Sequence, residues 1–152
     1  MKTSVFLCEN LIVSASNEDL SYFPNGELNI SFLLFNANLL LQEGELELAA
    51  SLFQLVKNHH KYGYCGHYGI GQCFLKAQQP KLAAQAFERA YSLEKRPYIA
   101  VALIDALIAC EYFEAAEIRS IEFAREFSAE PKFVELFRQH YRMCLEKLTE
   151  QK

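Results

Sequence analysis

A chain of 152 residues, 51% of them hydrophobic, carries enough apolar material for one domain with a sizeable core, which excludes a disordered tail or linker. A formal net charge of −4, without a basic stripe or a platform of aromatic and Arg residues, excludes nucleic acid as an expected ligand. The five cysteines, Cys8, Cys65, Cys73, Cys110 and Cys144, are odd in number and contain no C-x-x-C pair, which excludes a disulfide framework and predicts a cytoplasmic protein.

The first residues, MKTSVFLCENLIVSAS, have one basic residue, Lys2, and an apolar run broken by Glu9 and Asn10. The break argues against a secretory signal, and Val5, Phe6, Leu11, Ile12 and Val13 predict a short amphipathic helix instead. Residues 17–26, containing Pro24, Asn25 and Gly26, read as a turn-rich connector. We therefore expect an N-terminal helical segment and connector over 1–26 and a repeat domain over 27–152.

Residues 28–43 predict a helix that is apolar nearly all round and needs cover on both sides. Gly44 marks a turn, and Leu46, Ala49, Leu52, Phe53 and Val56 recur at helical spacing up to the polar break KNHHK. A second pair begins near Tyr62, turns at Gln78, Gln79 and Pro80, and continues to about Glu94, with Pro80 standing where a helix start loses no hydrogen bond. A third pair is expected over 97–110 and 113–127. The first of these helices carries a single charge, Asp105, and is too short to span a bilayer. A last helix over 131–148 puts Phe133, Leu136, Phe137, Tyr141, Cys144 and Leu148 on one side and charges on the other, the pattern of a cap over the open end of an array.

These pairs repeat. Moving back 34 positions maps Ala83, Phe87 and Ala90 onto Ala49, Phe53 and Val56, Gly71 onto Ala37, and Gln78 onto Gly44. Moving forward 34 positions fits less well, placing Gly71 on Asp105 and Ala83 on Glu117, so a small length adjustment is expected near 95–98, with a second register marked by Tyr112 and Ala115. Gly71 and Ala83 lack bulk where two helices cross, and Phe74 and Phe87 fill the space beside the crossing. That is the tetratricopeptide pattern. The expected fold is all-α, a right-handed superhelix of three helix pairs (about 30–63, 64–97 and 98–131) plus a C-terminal capping helix over 131–148.

Candidate chemistry is sparse. His59, His60, Cys65 and His67 have no common zinc spacing and lack a fourth ligand unless His140 folds near, so no metal and no cofactor are expected. Gly63, Gly66, Gly69 and Gly71 follow no strand and precede no Lys-Ser/Thr, so they read as packing positions rather than a phosphate loop. Nothing lowers the pKa of Cys65 or Cys73 toward a nucleophilic thiolate, and no enzyme is expected. Asp105, among apolar neighbours, should reach solvent in a groove or meet a partner's donor. With first helices facing inward, Asn38, Leu41, Tyr68, Gln72, Leu75, Ala102, Ala106 and Ala109 are expected to line a mostly apolar peptide-binding groove.

The run YGIGQC, residues 68–73, is similar to the G-x-G-x-C stretch in the second repeat of the class II type III secretion chaperones, which escort hydrophobic translocator proteins. The three repeats, the N-terminal segment and the entry AEPKFVEL into the last helix resemble that family too, over about 31–148. The turn at 78–80 departs from it by lacking glycine, Asp105 by standing where a small residue is common, and the N-terminal extension by being short. The resemblance implies a cytoplasmic virulence-system chaperone that holds an apolar segment of a secreted translocator in its concave face. The needle-subunit co-chaperone is a close variant, and a small co-chaperone or a second copy of the chain are possible further partners. The alternative is a general cytoplasmic scaffold or adaptor built on the same repeats. Neither reading involves nucleic acid or membrane.

Overall fold

The computed structural model describes the backbone of residues 4–8 and 11–15, and residues 29–151 in full; the expected connector over 17–26 lies outside the described residues. Seven helices occupy the described residues after residue 29: α1 (Ile30–Gln42), α2 (Leu46–Lys57), α3 (Gly63–Lys76), α4 (Pro80–Leu93), α5 (Pro97–Ala109), α6 (Phe113–Glu126) and α7 (Pro131–Glu150). The fold is an all-α helical repeat, and every expected helix from residue 28 onward is present within a few residues of its expected ends.

Among the described N-terminal residues the expected helix is replaced by strands. Ser4–Cys8 (β1) and Leu11–Ala15 (β2) make an antiparallel pair, with Ser4 opposite Ala15 and Cys8 opposite Leu11. β1 lies against α1. Val5, Phe6, Ile12 and Val13 are β-branched or aromatic, types that lose side-chain freedom in a helix and fit a pleated surface, so five apolar positions without a sustained 3.6 period settle as strand.

The chain divides into two compact units, Met1–Ala77 and Gln78–Lys152. Within the first, α1 packs on α2 and α2 on α3, with α1 also touching α3. Within the second, each helix from α4 to α7 packs on its successor, and α5 also touches α7.

Helix starts rely on backbone-friendly residues more than on side-chain caps. Asn29 caps α1, its Oδ1 accepting from the Phe32 N–H at 3.1 Å, and α4, α5 and α7 each open on a proline that has no N–H to leave unpaired. The turns share one device. Gly44, Gln78 and Glu111 all adopt a left-handed backbone, with φ of 83°, 59° and 62°. After α1, the Gly44 N–H donates to Leu41 and the Glu45 N–H to Leu40; after α5, the Glu111 N–H donates to Ile108 and the Tyr112 N–H to Leu107. These reciprocal bonds satisfy the last carbonyls of each helix and turn the chain back sharply.

From turn to turn the interval is 34 positions, 44 to 78, and then 33, 78 to 111. The lost position lies within α5, which starts as far beyond its preceding turn as α3 does but has 13 residues where α3 has 14. Counted from its own turn, Gly71 corresponds to Ile104 rather than Asp105, and Ala83 to Ala116 rather than Glu117 or the neighbouring marker Ala115, which is exposed. Ile104 and Ala116 are fully buried. The columns then read Ala37, Gly71, Ile104; Ala49, Ala83, Ala116; and Phe53, Phe87, Ser120, every member buried. Ser120 departs from the large residues in its column and satisfies its hydroxyl by donating to the Ala116 carbonyl at 2.7 Å.

The closest helix approach in the first unit is set by two glycines of α3. A Cβ on Gly66 would stand 2.5 Å from the Lys57 backbone nitrogen and 2.7 Å from the Phe53 carbonyl oxygen, and one on Gly69 would enter the Phe53 ring at 2.2 Å. Phe53 is buried, so its ring has nowhere to go.

Candidate functional site

The expected groove residues separate by helix stripe. On α1, Leu34, Ala37 and Leu41 follow one another at three and four residues and form the inward stripe; Leu41 is only 6% exposed, so it belongs to the core and not to a groove. Asn38 sits off that stripe and is half-buried. On α3, which lies beside α1, Tyr68, Gln72 and Leu75 are half-buried, and the Lys76 Nζ ties the two helices by donating to the Leu41 carbonyl at 3.1 Å. The first unit thus presents two amides, a phenol and an aliphatic group on neighbouring helices.

In the second unit, Ile99, Leu103 and Ala106 form the inward stripe of α5, and Ala106 is 0% exposed. Its assignment to a groove is therefore corrected: it packs in the core. Ala102 is half-buried and Ala109 exposed, on the outer stripe that also carries Asp105. Each unit carries its own part of the expected set.

Asp105 reaches solvent and meets a donor of its own chain rather than a partner's. Its side chain is 53% exposed, and its Oδ1 accepts from Nε2 of His140 on α7 at 2.7 Å. The His140 Nδ1 points at the Leu136 carbonyl, also at 2.7 Å, so both ring nitrogens face acceptors and only the imidazolium donates to both. The hydrogen bond to Asp105 raises the His140 pKa above 6.5, burial opposes it, and the Leu136 carbonyl and the Asp105 charge add to the rise. A raised pKa means that the folded state binds the proton more tightly than the unfolded chain. The contribution is complete below about pH 6.5 and is lost as pH rises through the folded-state value.

His59 works in the opposite sense. Its Nδ1 accepts from the Lys61 and Tyr62 N–H groups, both at 3.1 Å, which fixes the turn before α3 and requires that nitrogen to be unprotonated. Its pKa is lowered, by burial first and then by the charges of His60 and Lys61, so its contribution is present above about pH 6.5 and is lost as pH falls. Asp105→Asn should therefore remove the acid-side gain alone. In denaturant titrations from pH 5.5 to 8.5, the wild-type advantage over Asp105→Asn is expected to shrink as pH rises, by about 0.5–1 kcal/mol in all once the exposure of Asp105 is allowed for. A pH-independent difference would exclude the ion pair as its source.

A denser cluster joins α4 to α6. Arg119 Nη2 donates to Glu88 Oε1 at 2.9 Å, while its guanidinium lies over the Phe123 ring at 4.7 Å and the Tyr91 ring at 5.8 Å. The Tyr91 hydroxyl donates to Glu126 in a short bond, and burial first, then Glu126, pushes the phenol pKa upward. Sequence reading missed this cluster because its partners lie about one repeat apart on helices whose individual patterns look like ordinary solvated faces.

The cap also differs from expectation. Only Phe137 and Cys144 of α7 are buried among its apolar residues. Clefts of about 660 Å³ and 420 Å³ remain along the α6–α7 seam, the first lined by Glu117, Ile118 and Leu145, the second by Ile121, Val134 and Tyr141. The exposed Ile118 and Ile121 were the available signal, two isoleucines at three-residue spacing on a helix otherwise read as solvated.

Among the described residues no group of three or more His, Cys, Asp or Glu side chains is placed to hold a metal. Cys65, Cys73 and Cys144 are buried free thiols, and burial pushes the thiol pKa up at Cys73, Cys110 and Cys144, away from thiolate character. No helix among the described residues is long and apolar enough to cross a membrane. No protein-family model, curated protein or solved structure matches this chain.

Proposed function

We propose that this chain is a tetratricopeptide-type protein-binding chaperone of the cytoplasm, one that shelters an apolar segment of a secreted translocator or needle-type subunit. What supports the reading is that Asn38 on α1 and Tyr68, Gln72 and Leu75 on α3 are half-buried amide, phenol and apolar groups on two helices that touch. Amides can hold the backbone of an extended peptide while the apolar groups cover its side chains. Supporting it are the three buried columns and the shared left-handed turns, which are what a helical repeat needs in order to present its first helices in a regular way. The likeness of residues 68–73 to the translocator chaperones supplies the class of client. In this chain Gly69 also serves the contact with Phe53, so that likeness and the local packing draw on the same residue.

Sequestration requires only differential burial. Covering apolar surface of the client is favourable by about 25 cal/mol per Å², and an aggregation-prone segment so covered cannot associate with its own kind.

Co-expression with an insoluble apolar client of this type tests the reading. The chain is expected to bring the client into the soluble fraction, and Leu75→Asp to lower the recovered complex by about ten-fold, equivalent to roughly 1.4 kcal/mol. Leu75 is half-buried, so circular dichroism should show the helices intact, whereas a charge at the fully buried Ala106 would unfold the second unit and report nothing about binding. Recovery of the client undiminished by Leu75→Asp would remove the α1–α3 face from consideration.

A further inference from the structure

We infer that the α6–α7 seam is a self-association surface whose occupant is α6 of a second copy of this chain. The inference rests on a stripe along α6: Glu114, Ile118, Ile121 and Arg125, spaced four, three and four residues apart. On a helix these positions share one face. Ile118 is 56% exposed and Ile121 38% exposed, and all four residues line the clefts along α7. Neither Glu114 nor Arg125 forms an ion pair among the described residues.

The stripe is symmetric in position and antisymmetric in charge about the midpoint between 119 and 120. When two copies of α6 lie antiparallel across a two-fold axis at that point, Ile118 of one meets Ile121 of the other, and Glu114 of each meets Arg125 of its partner. A parallel arrangement would instead place acid on acid and base on base. The rest of the seam follows the same polarity. Glu117 joins Glu114 at one end, and Arg138 of α7 joins Arg125 at the other, so reversal of one copy sets an acidic end against a basic end twice over. A second copy is thus the occupant for which the charge pattern is already complementary. The result would be a four-helix arrangement of α6 and α7 from each copy, in which the isoleucines fill the clefts that α7 leaves open. This inference is independent of what the first helices bind.

Sedimentation equilibrium of the full chain at low salt tests it. A reversible dimer is expected. Glu114→Arg or Arg125→Glu alone should raise the dissociation constant about ten-fold or more, because each creates two like-charge contacts per dimer, about 1.4 kcal/mol in total. Glu114→Arg combined with Arg125→Glu should restore association, and Ile118→Asp should abolish it with helical content unchanged. A chain that stays monomeric at every concentration overturns the inference, whether or not the seam then accepts an amphipathic helix from another protein. So does a dimer indifferent to the single reversals, or one that the double exchange fails to restore.

Discussion

Phe137→Ala is expected to destabilise the second unit by about 3–5 kcal/mol, the largest effect of any single truncation considered. The Phe137 ring is fully buried and lies 5.6 Å from the Phe123 ring and 6.2 Å from that of Phe127. Among the apolar residues of α7 only Phe137 and Cys144 are buried, so the truncation removes most of what fastens the last helix to α6. Part of the cost is lost burial and part is the cavity left behind, which the neighbouring phenyl rings can fill only by abandoning their own contacts. For a unit of this size each kcal/mol moves Tm by about 4–8 °C. Thermal melts should therefore show a fall of ten degrees or more, with hydrogen exchange accelerating first along α7. Met143→Ala on the same helix, at an exposed position, should stay within about 0.5 kcal/mol of wild type. Equal losses at the two sites would mean that α7 is not held by its aromatic contact.

Gly66→Ala is the second large effect, expected at about 1–3 kcal/mol even though alanine is the better helix former. The intrinsic gain from removing a helical glycine is about 1 kcal/mol, so the measured loss understates the clash. That clash is with backbone: the new Cβ would sit 2.5 Å from the Lys57 nitrogen and 2.7 Å from its Cα. A side chain could rotate away, but here α2 and α3 must separate, which also loosens Phe53 over Gly69. Denaturant unfolding of Gly66→Ala against wild type measures the loss. A stabilised variant would mean that the two helices cross less closely than described.

The helices were legible because their apolar positions recur at helical spacing and their ends carry Gly44, Pro80, Pro97 and Pro131, each with a local physical meaning. The first half of the repeat was legible for the same reason. Its second half does not fit a single count of 34, and the adjusted register marked by Ala115 falls one residue short of Ala116, the position that is buried. The turn at Gln78 was legible from its spacing to Gly44 and from Pro80, but neither Gln78 nor Glu111 is a residue type that announces a left-handed backbone. The β1–β2 pair was misread because five apolar positions, interrupted once, do not distinguish a short helix from two short strands.

Groove residues were legible only to the helix, not to the stripe. Ala102, Ala106 and Ala109 look alike in sequence, yet a rotation of only about 40–60° around the helix separates core from surface. The pairs Asp105–His140 and Glu88–Arg119 lie 35 and 31 positions apart, so they become visible only once neighbouring helices are set side by side.

The left-handed turns have a consequence for how such a chain can change over generations. Because the hairpins at Gly44 and Glu111 close on their own carbonyls, spatial order is reset at these bends instead of accumulating from the first residue. A one-residue shortening ahead of such a bend is absorbed there, in keeping with the 33-position interval before Glu111, and the interior of the next hairpin keeps its small and large partners in place.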